Sequence, residues 1–143
     1  MAKSTNVEIK NGMRDFGTGA TRNIDVTKID YEGFYSPLVV EAFGTYMNEN
    51  RHTAAGLRES DNWQQGIPLS SYMKSGWRHF FDWWAFHRGF EEKVHEGIVW
   101  ALCGVIFNAS GYLHELLKEN PDLLEKAVKD HRARKASLTS EKK

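Results

Sequence analysis

Apolar residues recur at helical intervals in four segments of this chain and nowhere keep the two-residue alternation of a strand. The pattern predicts helices over residues 36–51, 70–88 and 91–118, and a short fourth helix after residue 120. A capping serine and a proline at the first helical position open the first helix, and Gly89 ends the second. The predicted fold class is therefore all-α: a small bundle of three main helices plus a short C-terminal helix.

The segments outside the helices set the predicted domain organisation. Residues 1–14 show no sustained period and are predicted to form a flexible N-terminus, followed by an ordered, glycine-containing loop. Residues 15–128 are predicted to form a single α-helical domain. Residues 129–143 are basic and then rich in Ser, Thr and Lys, which predicts a flexible tail.

The second predicted helix is unusually aromatic, since three of the five tryptophans lie within it. Trp77, Phe80, Phe81 and Trp84 are predicted to cover its core side. So many large rings in one segment indicate a helix buried on more than one side, or a face shared with a second copy of the chain. A homo-oligomer is therefore expected.

A polar stripe runs through the same helix. Lys74, Arg78 and Asp82 are four residues apart, and His79 neighbours Asp82. Arg78 and Asp82 have the spacing of a simple ion pair on a helix surface. Charged side chains in so apolar a helix are also typical of a functional site, because burying them without partners is costly. Both interpretations stay open on the sequence alone.

The third predicted helix carries small residues at intervals of four, three, four and three: Gly97, Ala101, Gly104, Asn108 and Gly111. Such a stripe allows another helix to approach closely, and it also leaves room for a ligand. Asn108 is its polar member. A buried amide needs a hydrogen-bond partner, which is either a neighbouring helix or a substrate.

Acidic residues are spread over the three main predicted helices. Glu41 lies on the polar face of the first, Asp82 on the second, and Glu92 and Glu96 near the start of the third with His95 beside them. This set suits oxygen ligation of Mg²⁺ or Mn²⁺ better than zinc binding. A solvated helix face and an ordinary acidic helix N-terminus account for the same residues without a metal.

Composition and charge narrow the function classes. The 143 residues contain 19 Lys+Arg and 19 Asp+Glu, so no net charge attracts nucleic acid polymers or anionic membranes. The single cysteine, Cys103, cannot form an intramolecular disulfide, and no P-loop, nucleophile elbow or zinc motif is present. No apolar run approaches the roughly 20 residues of a membrane span. We therefore expect a soluble, cytoplasmic protein.

Five segments of the sequence match the pattern of one family. They are Gly-Thr-Gly-Ala-Thr-Arg at 17–22, Ile-Asp-Tyr-Glu-Gly-Phe-Tyr-Ser-Pro at 29–37, Ser-Asp-Asn-Trp-Gln-Gln-Gly-Ile-Pro at 60–68, Gly-Trp-Arg-His-Phe with Asp-Trp-Trp at 76–84, and Ala-Leu-Cys-Gly-Val-Ile-Phe-Asn-Ala at 101–109. Over residues 15–117 the chain resembles the dATP/dGTP diphosphohydrolase N-terminal family. That family is a branch of the all-α, MazG-like nucleotide pyrophosphohydrolases of bacteriophages and bacteria.

The resemblance implies an oligomeric helical bundle in a bacterial or phage-infected cytoplasm. It would bind a nucleoside triphosphate, with a purine deoxynucleotide favoured, beside Mg²⁺ or Mn²⁺, and release pyrophosphate to leave a monophosphate. The residues implied as catalytic are Glu41, Asp82 and His79. Those implied as metal ligands are Glu41, Asp82, Glu92 and Glu96. Those implied as nucleotide contacts are Arg22, Asn62, Trp63, Lys74, Arg78 and Asn108.

The acidic residues differ in spacing from MazG-like enzymes, which carry Glu-x-x-Glu on one helix and Glu-x-x-Asp on the next. Here Glu41 is followed three residues later by Gly44, and Glu96 by Val99. Either the metal site uses other positions, or the nucleotide pocket has no hydrolytic chemistry. The alternative function is therefore a non-catalytic protein that sequesters a nucleotide, for example an immune signalling nucleotide of the host. A helical interaction module is a third possibility.

Overall fold

The computed structural model describes residues 8–10, 12–23 and 28–140. The chain forms two compact units, Met1–Ser36 and Pro37–Lys143. Helices make up most of the described residues, which confirms the mainly helical fold class. Within those ranges no helix combines the length and the apolarity needed to cross a membrane.

The first unit combines a small antiparallel sheet with one helical turn. Its elements in chain order are β1 (Glu8–Lys10), β2 (Met13–Asp15), β3 (Thr21–Asn23) and α1 (Tyr31–Phe34). The central strand, β2, pairs with both of the others. Asp30 caps α1, because its carboxylate accepts the amide of Gly33 at 3.0 Å.

This sheet corrects two expectations, that no strand forms and that residues 1–14 are flexible. β1 and β2 are paired strands, and the glycine-containing segment is the turn of the hairpin between β2 and β3. In that turn the amide of Gly17 donates to Asp15 at 2.8 Å, and Gly17 and Gly19 have positive φ angles. Three-residue strands are too short to show a two-residue alternation. Residues 1–7 and 11 lie outside the described residues.

Among its described residues the second unit has four helices of 13 to 22 residues. Its elements are α2 (Pro37–Glu49), β4 (His52–Thr53), β5 (Gly56–Leu57), α3 (Leu69–His87), α4 (Ile98–Glu119) and α5 (Leu123–Ser140). Strands β4 and β5 form a short antiparallel hairpin, and a 3₁₀ turn, Asn62–Gln65, precedes α3. The bounds of α2 and α3 confirm the predicted ones to within two residues.

The core of the second unit is the contact between α3 and α4. A methyl group at Gly104 would overlap the imidazole ring of His79, and one at Gly111 would overlap the ring of Tyr72. Both rings therefore rest directly on the backbone of α4, and Tyr72 is only 2% exposed. The close helix approach predicted from the small-residue stripe is confirmed.

Aromatic contacts attach α2 and the loop that follows it to α4. Buried Tyr46 packs edge-on against Trp100, with ring centroids 5.8 Å apart. In the 3₁₀ turn, Trp63 packs edge-on against Phe107 at 6.2 Å and His114 at 4.9 Å. These contacts hold the loop against α4.

The prediction for the faces of α3 is wrong. The four aromatic side chains expected on the core side keep 43 to 61% of their surface exposed: Trp77, Phe80, Phe81 and Trp84. The buried residues are instead Tyr72, His79, Asp82 and Ala85. Gly104 and Gly111 of α4 leave room at this contact for the imidazole ring of His79 and the phenol ring of Tyr72. Burial of the one carboxylate is offset by hydrogen bonds that the sequence pattern does not reveal.

The sequence-based prediction places the start of the third helix too early. Residues 91–93 form a separate 3₁₀ turn, and α4 begins only after Gly97, whose φ of 78° an α-helix does not accommodate. The amide of His95 donates to Asp82 at 3.0 Å rather than to a helical carbonyl. Because of this break, Glu92 and Glu96 do not share a helical face.

The C-terminal helix is longer than predicted. α5 continues through Ser140, so the described part of the predicted flexible tail is helical. Residues 129–139 are exposed and include several good helix formers. Their helix propensity extends α5, but the sequence does not reveal this because these residues form no apolar face. Residues 141–143 lie outside the described residues.

Candidate functional site

A buried carboxylate and an exposed imidazole form the best-defined polar contact of the second unit. Asp82 is 3% exposed on α3 and accepts the backbone amide of His95 at 3.0 Å on Oδ2. Its Oδ1 lies 2.7 Å from Nδ1 of the same histidine, whose side chain is 75% exposed. We call this pair the Asp82–His95 dyad. It ties the segment before α4 to the middle of α3.

The contact between Asp82 and His95 determines which of their atoms carries the shared proton. Burial raises the pKa of Asp82, but hydrogen bonds from the side chain and amide of His95 and the amide of Glu96 outweigh it, so this pKa lies below its usual value. Asp82 is therefore ionised near neutral pH and can only accept hydrogen bonds. The proton between the two side chains belongs to Nδ1 of His95. In the neutral imidazole, Nε2 is then left as a proton acceptor.

A second histidine and carboxylate lie next to the dyad. Nδ1 of His79 is 3.4 Å from Oε2 of Glu96, one residue beyond His95 in the chain. The His79 ring is nearly buried against Gly104, whereas the side chain of Glu96 is 44% exposed. Glu96 thus has a carboxylate that faces solvent at the edge of the same site.

The dyad and Glu96 lie at a cavity of about 410 Å³ between α3 and the segment that precedes α4. Its lining residues are Trp77, Arg78, Phe81, Asp82, His95 and Glu96. We call it the dyad cavity. It brings together one guanidinium, two carboxylates, one imidazole and two aromatic walls. Arg78 does not pair with Asp82, since no ion pair among the described residues joins them.

The predicted metal ligands do not assemble around this cavity. Asp82 and Glu96 line it, whereas Glu41 is exposed on α2 and Glu92 is exposed in the 3₁₀ turn. Within the described ranges no group of three or more His, Cys, Asp or Glu side chains is arranged to hold a metal ion. Both oxygens of Asp82 already accept hydrogen bonds from His95. The residues of one chain thus do not fit the carboxylate cluster implied for Mg²⁺ or Mn²⁺.

The predicted nucleotide contacts fall in several places. Asn62 and Trp63 line a separate pocket beside α2, and Lys74 is exposed on α3. Asn108 is buried and donates to the carbonyl of Gly104 at 2.7 Å, so its partner is its own helix. Arg22 belongs to β3 of the first unit.

No family model, curated protein or solved structure matches this chain. The resemblance to MazG-like enzymes therefore remains a prediction from the motifs, and the function has to be argued from the geometry of the site.

His95 is the residue that the sequence-based site prediction missed. The sequence pattern places it in the first turns of the third predicted helix, beside Glu92 and Glu96. The available signal was Gly97, because a glycine two residues beyond a histidine is compatible with a chain reversal before the helix. What no sequence pattern supplies is the contact to Asp82, thirteen residues earlier.

Proposed function

We propose that this chain binds a purine deoxynucleoside triphosphate and hydrolyses it to the monophosphate and pyrophosphate. The observation that supports this most is the Asp82–His95 dyad, an imidazole oriented by a buried, ionised carboxylate, at a cavity that also contains Arg78. That combination suits water activation beside an anionic substrate. The family resemblance supports the same reaction and supplies the class of substrate.

Each residue of the dyad cavity has a distinct role in this proposal. Nε2 of His95 removes a proton from the attacking water, and Asp82 stabilises the imidazolium that forms. Water oxygen bonds to the α-phosphorus, the bond from that phosphorus to the bridging oxygen breaks, and pyrophosphate leaves with the electron pair. Arg78 binds the phosphate oxygens, while Trp77 and Phe81 exclude water from one side. No step is assigned to a metal, since the carboxylates of one chain do not fit such a site.

The experiment that tests the proposal is a product analysis. Purified protein is incubated with each common deoxynucleoside and ribonucleoside triphosphate, and the products are separated by anion-exchange chromatography. Equal amounts of monophosphate and pyrophosphate support hydrolysis between the α and β phosphates. Release of inorganic phosphate instead would assign a different cleavage.

A second candidate function is nucleotide binding without turnover. The observation that favours it is the dispersal of the predicted metal ligands: Glu41 and Glu92 do not line the dyad cavity, and among the described residues no group of three or more His, Cys, Asp or Glu side chains could hold a metal ion. A sequestering protein would return every nucleotide intact in the product analysis. It would also release a bound nucleotide when it is denatured by heat.

The proposal includes self-association through α3. Met73, Trp77, Phe80 and Trp84 recur at intervals of four, three and four, the spacing of a helix–helix seam, and are 43 to 61% exposed. We call this row the aromatic stripe. The stripe, together with Phe81, exposes on the order of 500 Å² per chain. A stable interface buries about 800 Å² per partner, so these side chains alone would supply more than half of that area.

A second copy of this chain is the occupant that the stripe fits. Beside the stripe lies a groove of about 410 Å³, bounded on the α4 side by Val105, Ala109 and Tyr112. Protruding rings next to an apolar groove on the same surface make that surface self-complementary, as a two-fold interface requires. The stripe and the dyad cavity share Trp77, so the partner would also cover one side of that cavity.

We expect Phe80→Glu to convert the protein from a dimer or larger oligomer to a monomer. The introduced carboxylate would have to be buried without a partner, which costs several kcal/mol. Sedimentation velocity at about 20 μM, above typical dimer dissociation constants of this interface size, is the measurement. Leu138→Glu on α5 is the matched control, because Leu138 is 63% exposed but lies outside the stripe. A wild-type protein that sediments as a monomer would contradict self-association.

A further inference from the structure

The loop between α2 and α3 forms one side of a second pocket, of about 220 Å³. Arg51, just before β4, and Arg58, just after β5, line it from the two ends of the β4–β5 hairpin. Asn62 and Trp63 line it from the 3₁₀ turn, and Tyr46 lines it from α2. We call it the arginine pocket. Neither arginine is among the predicted site residues: Arg51 ends the first predicted helix, and Arg58 lies in the polar connection that follows it.

Hydrogen bonds hold the two guanidinium groups in place. Nε of Arg51 donates to the carbonyl of Arg58 at 2.7 Å, and Nη2 of Arg58 donates to the carbonyl of Asn50 at 2.8 Å. The amide of Arg58 also donates to the carbonyl of Arg51 at 3.0 Å. Each guanidinium has five N–H donors, so most of them remain free for a ligand. The hairpin thus fixes two forked donor groups at the pocket.

The positive charge of these arginines is not neutralised by the protein. Among the described residues neither forms an ion pair with a carboxylate, and their guanidinium groups donate to backbone carbonyl oxygens and to the side-chain oxygen Oδ1 of Asn48. Glu59 also lines the pocket but pairs with neither of them. Two fixed, unpaired guanidiniums are the groups that bind phosphate oxygens in a bidentate manner.

The same pocket offers a rigid aromatic surface. Trp63 is half-buried and held edge-on by His114 and Phe107. Side chains fixed in this way stack on planar rings at little cost in conformational entropy. Asn62 beside it supplies both a hydrogen-bond donor and an acceptor. An aromatic wall, an amide and two cations match the parts of a nucleoside phosphate.

We propose that the arginine pocket is the recognition site for a nucleoside phosphate, with the base against Trp63 and the phosphates on Arg51 and Arg58. This inference goes beyond the proposed function, because the arginine pocket shares no lining residue with the dyad cavity.

Equilibrium binding measured by calorimetry tests this site independently of turnover. The probes are a dGTP analogue with a methylene bridge between the α and β phosphorus atoms, which hydrolysis at that position cannot cleave, and inorganic tripolyphosphate. Arg58→Gln is expected to weaken both by roughly ten- to a hundredfold, since a charge-assisted hydrogen-bonding group is lost. Trp63→Leu is expected to weaken the analogue by a similar factor through lost stacking, and to leave tripolyphosphate binding unchanged.

The controls separate binding from folding and from catalysis. Arg132→Gln removes the same charge from an exposed position on α5 and should leave both affinities unchanged. Trp63→Leu keeps both arginines and the hydrogen bonds that hold them. It therefore tests the pocket even if circular dichroism shows that Arg58→Gln is poorly folded. Unchanged affinity in both variants would overturn the inference and leave hydrolysis at the dyad cavity intact. Reduced affinity in a protein that cleaves no nucleotide would support the pocket and refute the hydrolase.

Discussion

Replacing His95 by alanine is expected to lower the turnover number by roughly 10²- to 10⁴-fold, the usual contribution of a positioned general base. In the proposed mechanism the imidazole removes the proton from water, and in its absence Asp82 also loses a hydrogen bond that offsets its burial. The Michaelis constant should change much less, because the imidazole acts on the water rather than on the base or sugar. Pyrophosphate release followed continuously is the measurement.

His131→Ala is the matched control for this substitution. His131 is exposed on α5, so its removal should leave turnover unchanged. Circular dichroism of both variants would show whether the helices are retained. A His95→Ala protein that is folded and fully active would assign the general base to another residue, with the half-exposed Glu96 carboxylate the next group to test.

The second large effect is expected at Gly111. In Gly111→Ala the new methyl group would overlap the ring of Tyr72, which is 2% exposed and cannot move without opening the contact between α3 and α4. We expect the free energy of unfolding to fall by about 2 kcal/mol, as overpacking in a core typically costs about 1–3 kcal/mol. Denaturant unfolding followed by circular dichroism is the measurement.

A glycine-to-alanine substitution at Gly44 should instead raise the free energy of unfolding. Gly44 lies inside α2, and a methyl group there meets no atom within 4 Å. Gly44→Ala should therefore raise stability by about 0.5–1 kcal/mol through helix propensity alone. If Gly111→Ala also stabilised the protein, the close packing of Tyr72 against α4 would be wrong.

Local signals were sufficient to predict much of this fold. The proline at the start of α2 and Gly89 after α3 mark helix ends by mechanisms that act within a few residues, and the predicted ends hold to within two residues. The stripe of small residues on α4 likewise predicts a close helix neighbour whatever the rest of the chain does. Here the neighbour is α3, and Gly104 and Gly111 are where it approaches most closely.

Features that depend on long-range contacts were not predictable in the same way. Helical periodicity ranks faces by apolarity, so it predicts the aromatic side of α3 in the core and leaves the side with Asp82 open between a surface ion pair and a functional site. In the structure the side with Asp82 is the buried one, because the carboxylate accepts hydrogen bonds from His95, a contact outside any helical period. If a second copy covers the aromatic stripe, both faces of α3 are buried in the assembly. The contact between the two copies then explains why the exposed face of α3 is apolar.

The residues of the candidate site likewise fall into those that the sequence indicates and those that it does not. Asp82 and His79 stood out in the sequence because polar residues inside an aromatic helix call for an explanation, and both are buried beside the dyad cavity. His95 and Arg51 did not stand out, because each lies in an irregular segment where position depends on hydrogen bonds to distant backbone or side-chain groups. Chemistry on regular elements can be anticipated from spacing, whereas chemistry on loops needs coordinates.

The most direct test of the central claim is a product analysis of wild-type protein, run in parallel with His95→Ala. Each of the four deoxynucleoside and four ribonucleoside triphosphates is incubated with and without Mg²⁺ or Mn²⁺, and the products are quantified by anion-exchange chromatography. The account predicts that a purine deoxynucleotide yields monophosphate and pyrophosphate in equal amounts, and that His95→Ala loses at least 99% of this rate. Recovery of all eight nucleotides intact after prolonged incubation would contradict hydrolysis. A nucleotide released from that same protein by heat would then identify a binding protein instead.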